Sequence, residues 1–222
     1  MYLNPETLSN QSHWASGLIE LTSEQEQIYL QYNGFVLVAE DEESGNGYSI
    51  TPDTDKWEAW KAEQPDPVET VRKAKIEELS VACNTTINAG TQVQLSDGST
   101  ESFTYGLVDQ SNVSEMFNAV LLGATEYPYH ANDDDCRMYS AQDIVAIYAT
   151  LSAFKTGQTT YHNQLKRYTK ALTAQEEIQA VTYGQELTGE YLESYNTLMA
   201  QAKAQLDNVL AKVRSNEAEV IG

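Results

Sequence analysis

Between Leu187 and Val213 the side chains Leu192, Met199, Leu206 and Val213 recur every seven residues, and Tyr195, Ala202 and Val209 each follow three residues after one of the first three. Alternating steps of three and four, held for three to four heptads, suit a helix that hides one seam along a partner helix; a strand would need a period of two. The partner is either the preceding helix, folded back as an antiparallel hairpin, or the same helix of another subunit. Thr182, Gly184 and Thr188-Gly189 give the chain places to turn back.

Two more helical stripes precede this seam. Ser140 caps a segment in which Ile144, Ile147, Tyr148, Leu151 and Phe154 form an apolar face ending at Gly157. A second helix is predicted to start at Thr159 or Thr160 and to bury Tyr161, Leu165, Tyr168 and Leu172. Further upstream, Asp66 is placed to cap, Pro67 is favoured at the first helical position, and Glu69 completes a capping box. Val71, Ala74, Leu79, Ala82 and Cys83 carry that helix to Asn88 and Gly90. The period then changes to two: Val93, Leu95, Phe103 and Tyr105 flank Ser96-Asp97-Gly98-Ser99, a β-hairpin pattern. A short helix capped by Asn112 or Ser114 follows, with Met116, Phe117, Val120 and Leu121 on its apolar face.

The first sixty residues read differently. Thr22 or Ser23 with Gln25 or Glu26 opens a short helix that Asn33-Gly34 stops, and "FVLVA" continues as a strand; a hairpin turning at Tyr32-Asn33-Gly34 is the alternative. "YSI" returns as a strand after Gly45-Asn46-Gly47. The expected class is α+β and mainly helical, with a small mixed N-terminal module, a central β-hairpin and a long C-terminal helical hairpin or coiled coil. Its expected divisions are residues 1–62, a small α/β docking module, 63–181, an α+β domain, and 182–222, the heptad helix.

Charge limits what such a chain meets. Thirteen Lys plus Arg against thirty-three Asp plus Glu give a formal charge of −20, which repels phosphate backbones and anionic lipid. Nucleic acid and membrane are therefore not expected partners. Apolar runs such as "AVLLGA" fall short of the roughly 20 residues of a spanning helix, and "MYLNPETLSNQS" has no secretory pattern, so a soluble cytoplasmic product is expected. Cys83 and Cys136 could pair in principle but are expected as reduced thiols. Fourteen tyrosines against four phenylalanines suit wet boundaries, whether at interfaces or at core edges.

Candidate chemistry centres on "YPYHANDDDCRM", residues 127–138. His130 and Cys136 are six apart, and Asp133, Asp134 and Asp135 are adjacent, which neither a zinc site nor a calcium loop uses; Arg137 follows at once. A tight turn over Asn132–Asp135, with carboxylates bonded to backbone amides, is the expected reading, and an ion site the alternative. No phosphate loop, nucleophile elbow, H-E-x-x-H or C-x-x-C occurs, and His13, His130 and His162 lie in unlike contexts. The expectation is a protein that is not an enzyme and holds no metal or cofactor. The residues singled out for partner binding are Leu192, Tyr195, Met199, Leu206, Val209 and Val213 on the seam, with Trp57 and Trp60 in "DTDKWEAWKAEQPDP". Those tryptophans either stack a sugar or pin a linker.

One resemblance extends this reading. From "VRKAKIEELSVACNTTINAGTQVQL" through "GSTESFTYGLVDQSNVSEMFNAV" to "DDDCRMYSAQDIVAIYATLSAFKTGQTTYHNQL", roughly residues 70 to 180, the chain resembles a family of phage-tail domains of unknown function. These occur near the C-termini of predicted tail, baseplate and tail-fibre-associated proteins. The landmarks are Gly90, "SF" and "DQSN" after the hairpin, and "YSAQDIVAIY" ahead of "TTYHNQL". "GNGYSITPDTDKWEAW" is similar to the entry segment of small tail-fibre assembly or tail proteins. The resemblance implies a structural virion protein of a phage tail or phage-derived tail-like particle, at the baseplate or connecting tail fibre to baseplate. Its partners would be other tail, baseplate or fibre proteins and copies of itself, a trimer by the symmetry of tails. It would reside in the virion tail after assembly in the host cytoplasm. The alternative is a tail-fibre assembly chaperone not retained in the particle.

Overall fold

A computed structural model describes residues 1–132 and 134–221, with side chains described through Lys212. Its contacts divide the chain after Asp66 into two units, Met1–Asp66 and Pro67–Gly222. Both mix helix with small antiparallel sheets, and helix dominates, so the protein is α+β and mainly helical. The observed division falls four residues beyond the expected one at 62. No boundary appears at 181, because the C-terminal helix belongs to the second unit.

In the first unit, β1 (Tyr2–Leu3) lies between β2 (Asn10–Gln11) and β3 (Ile19–Glu20), a sheet of two-residue strands with no apolar alternation to announce it. Helix α1 (Ser23–Gln31) begins as expected: Thr22 Oγ1 accepts from Gln25 N, and Gln25 Oε1 accepts from Thr22 N. It ends where Asn33 and Gly34 both take positive φ. Strands β4 (Val36–Glu40) and β5 (Tyr48–Pro52) pair antiparallel, with Val38 opposite Ile50. Leu3, Ile19, Leu21, Tyr29, Val36 and Ile50 form the core. Buried Gln25 donates to Tyr48 O at 2.7 Å and Tyr29 Oη donates to Leu8 O at 2.9 Å, so the polar groups within that core are satisfied. Helix α2 (Thr54–Glu63) follows, capped by Asp53, in the stretch read from sequence as a possible linker.

The second unit is built on three long helices. Helix α3 (Pro67–Ala89) runs antiparallel to α5 (Ala141–Ala171): Cys83 Sγ donates to Gln158 O at 3.6 Å, and about three turns further along, Arg72 Nη2 donates to Leu172 O at 2.7 Å. Helix α7 (Gly189–Ile221) runs antiparallel along α5, which therefore lies between the two. The expected pair of helices broken near Gly157 is one continuous helix. Gly157 keeps an ordinary helical φ, and a single glycine costs a helix only about 1 kcal/mol, which the apolar stripe from Ile144 to Leu165 outweighs.

Strands β6 (Thr91–Gln94) and β7 (Thr100–Phe103) form the expected hairpin. Helix α4 (Leu107–Leu121) begins earlier than Asn112 or Ser114, because Asp109 accepts the Gly106 amide at 3.0 Å and so ties the first turn at its start. Its Leu121 stays partly exposed, while Met116, Phe117 and Val120 are buried; Phe117 stacks on Tyr148 of α5 at 3.8 Å between centroids. Strands β8 (Glu126–Tyr129) and β9 (Arg137–Ser140) form a second hairpin that leads straight into α5. A short α6 (Gln175–Ala180) lies in the return toward α7, where Ile178, Val181 and Leu187 are buried. Among the described residues no helix is long and apolar enough to cross a membrane.

Candidate functional site

The acidic stretch that raised the question of chemistry is the loop of the β8–β9 hairpin. Asn132 secures it: its backbone N–H donates to Ser102 O at 2.9 Å and its side-chain Oδ1 accepts from Thr104 N at 2.7 Å. These two bonds continue the β7 edge into the loop, as an Asx side chain does when it mimics backbone. Asp134 N donates to Ala131 O, closing a turn, while Asp133 lies outside the described residues. Among the described residues, no three His, Cys, Asp or Glu side chains are grouped to hold a metal. Cys136 is exposed, Cys83 is buried, and both are free thiols.

Arg137 serves a neighbouring element. It pairs with Glu101 of β7, and its guanidinium lies 4.1 Å from the Tyr139 ring centroid. Tyr139 Oη donates to the other oxygen of Glu101 at 2.6 Å. One carboxylate thus joins the two hairpins through a cation and a phenol. Burial, then the bond to the Glu101 charge, pushes the Tyr139 phenol up to about 12; burial and the charge of Asp109 do the same for Tyr129. Where Asp143 begins α5, its partial burial is outweighed by donors from Ser96 and Ser140, which hold its carboxyl below the usual range. This cluster ties the two hairpins and the start of α5 together and so fixes the geometry of the unit.

Trp57 and Trp60 stack at 5.0 Å and 17° on one face of α2. Trp57 meets Tyr32 edge-on at 6.0 Å and Phe35 at 6.1 Å, and Trp60 lies 5.6 Å from Phe35. No residue of α2 is fully buried, so these half-buried rings are its attachment to the first unit. Their packing is that of anchors, as the sequence allowed, although what they pin is a helix.

The seam residues come together on one side of α7. Tyr191, Tyr195, Met199, Ala202, Leu206 and Leu210 are half-buried, whereas Glu193, Asn196, Ala200, Lys203, Asp207 and Ala211 on the far side are exposed. Tyr191 meets Tyr168 of α5 edge-on at 5.6 Å, and a Cβ on Gly157 would lie 3.7 Å from both Met199 Cε and Tyr195 Oη. The partner that the heptads call for is thus α5 of the same chain. Leu192 and Val209, at the edges of the stripe, keep 41% and 40% of their surface, and so does Leu198 at 43%. The side chain of Val213 lies outside the described residues.

Where α7 starts, Leu192, Tyr195 and Met199 meet Phe154, Tyr161 and Tyr183 around an open cleft of about 530 Å³. Tyr161 Oη accepts from Gly184 N at 2.9 Å and donates to Gln185 O at 2.8 Å, fixing the wall that the return loop forms. Tyr183 Oη donates to Gln158 Oε1, and burial raises its phenol above the ordinary range. The cleft can receive an apolar or aromatic group; it holds no charged side chain other than Glu186. The periodicity identified its α7 wall, but Tyr183 sat in a stretch read only as a turn. No family model matches the chain, and no curated protein or solved structure matches it.

Proposed function

We propose that this chain is a structural subunit of a phage tail or of a phage-derived tail-like particle, seated at the baseplate or between fibre and baseplate, and that it works by binding other proteins. The tail assignment rests on the sequence resemblance over roughly residues 70 to 180. The binding role rests on one observation: the second unit leaves large apolar side chains on its surface at both ends of α4, Leu107 at 85%, Val108 at 72% and Leu122 at 90% exposed. Leu107 and Val108 lie directly before the "DQSN" landmark. Exposed leucine and valine at a helix terminus gain about 1.5–3 kcal/mol each when a neighbouring subunit buries them.

The expected partners are tail, baseplate or fibre proteins. Copies of the same chain meet through the edges of the seam, Leu192, Leu198 and Val209, rather than through its centre, which α5 occupies. Negative-stain imaging of particles assembled without this chain tests the assignment: fibres lost or baseplates incomplete are expected, and fully fibred normal tails overturn it. Mass spectrometry of purified particles separates a retained subunit from an assembly chaperone, which would be missing from them.

A further inference from the structure

The second unit carries a basic groove on a chain whose formal charge is −20. Between the N-terminal half of α3 and the C-terminal half of α5 lies an opening of about 670 Å³, lined by Arg72, Lys73, Lys166 and Lys170, with Ile76 as its apolar contact and Glu69 and Glu77 as its carboxylates. Glu69 is already engaged by Arg72. Six other described cations find acidic partners, Lys56 with Asp53, Lys61 with Glu58, Lys75 with Glu78, Arg137 with Glu101, Arg167 with Glu190 and Lys203 with Asp207, while Lys155, away from the groove, donates to the Gln110 amide oxygen. Among the described residues, Lys73, Lys166 and Lys170 make no ion pair, and all three face this groove.

Acids outnumber bases by more than two to one here, so unpaired lysines gathered in one place call for a physical account. The helix dipole accounts for Lys170 in the last turn of α5 and not for Lys73, which lies beyond the first turn of α3. Arg72 is held rigidly at one side: Nη1 is on Glu69, Nη2 donates to Leu172 O, and its buried Nε has no partner. Lys166 and Lys170 are one helical turn apart, a rise of about 6 Å. Alternate side chains of an extended segment repeat at about 6.6 Å. Carboxylates at every second position of a strand-like peptide therefore match this ladder, whereas a compact anion would want its donors to converge on a point.

We infer that the α3–α5 groove docks an extended acidic segment of a partner protein, with Lys166 and Lys170 reading alternate carboxylates and Lys73 closing the opposite wall. This surface is independent of the tail assignment and of the aromatic cleft beside α7, and it stands or falls separately.

The test is fluorescence anisotropy of a short labelled peptide of alternating glutamate and threonine, titrated with the full-length chain at low ionic strength. Binding is expected, weakening steeply with added salt. The combined Lys73→Gln, Lys166→Gln and Lys170→Gln variant should lose roughly thirtyfold in affinity, about threefold per lysine. A Lys56→Gln, Lys203→Gln control should bind as the parent does. If the triple variant is misfolded by circular dichroism, Lys170→Gln alone is measured, with about threefold expected. No binding by the parent chain, or equal binding by the lysine variants, overturns the proposal. Displacement by inorganic pyrophosphate at lower concentration than by unlabelled peptide also overturns it, in favour of a phosphate site.

Discussion

Replacing Gly90 with alanine should unfold the second unit more readily than any other single methyl group added at a glycine of that unit. Gly90 sits at the end of α3 with φ +72°, and a Cβ there would lie 2.7 Å from Phe103 C and 2.8 Å from Thr104 Cα, closer still to the Phe103 carbonyl oxygen. The left-handed conformation alone costs alanine about 1 kcal/mol. The obstruction is backbone, so relief requires β7 to move away by about 1 Å. That breaks the Thr91–Phe103 pairing and the bond from Tyr105 N to Asn88 O, about 1 kcal/mol each. It also withdraws Phe103, 1% exposed, from the main core at about 2 kcal/mol. The sum is about 5 kcal/mol.

Gly98 provides the control. Its φ is +87° but nothing lies within 4 Å of its Cβ position, so Gly98→Ala should cost only the conformational part, about 1 kcal/mol. The assay is urea denaturation followed by far-ultraviolet circular dichroism, which weights the helices of the second unit; all three tryptophans, at 14, 57 and 60, lie in the first, so indole fluorescence reports on that unit. With a slope of about 2 kcal/mol per molar, the Gly90→Ala midpoint should fall by about 2.5 M relative to the parent. Equal midpoints for the two alanine variants would refute the steric argument.

Gly157→Ala should do the opposite and stabilise by about 0.5–1 kcal/mol in the same assay, since the added methyl meets Met199 and Tyr195 at ordinary contact distance and removes a helix-interior glycine; a destabilised variant would show that α5 and α7 are packed more tightly than described. Trp57→Ala should release α2, with its amides losing hydrogen-exchange protection while β4 and β5 keep theirs. Alkaline titration followed by phenolate absorbance tests the buried tyrosines: the folded pKa values of Tyr129 and Tyr139 are raised to about 12 from 10, so their contribution is complete below pH 10 and lost as pH rises toward 12. The second unit should unfold within that window, and two phenols titrating at 10 in the folded protein would contradict it. Glu101→Gln should cost about 1–2 kcal/mol, because the Arg137 pair is lost while the Tyr139 hydroxyl keeps an acceptor.

Helices with a long apolar stripe and a polar cap were legible in the sequence: α1, α3 and α7 begin and run where Thr22, Pro67 and the heptads put them. The β6–β7 hairpin was legible from Ser96-Asp97-Gly98-Ser99. The β8–β9 hairpin was not, because its loop of charges hid an alternation of Tyr127 and Tyr129 with Tyr139 that only pairing reveals. Gly157 misled because a glycine that ends a helix and one that admits a neighbouring helix look alike in one dimension. For the seam, sequence named the correct face and left its partner open, since any parallel or antiparallel helix satisfies the same spacing. The α3–α5 groove was invisible, as Lys73 and Lys166 are brought together only by tertiary packing.

The way the strands pair has a kinetic consequence. Every strand in the second unit bonds to its immediate sequence neighbour, β6 with β7 and β8 with β9, and α5 meets α7 across one return loop. The exception is α3, whose packing on α5 joins residues 75 to 100 apart, so closing that loop rather than forming the hairpins should set the folding barrier. Such a chain can acquire its structure piece by piece as it leaves the ribosome, with α7 laid onto an α5 that has already emerged.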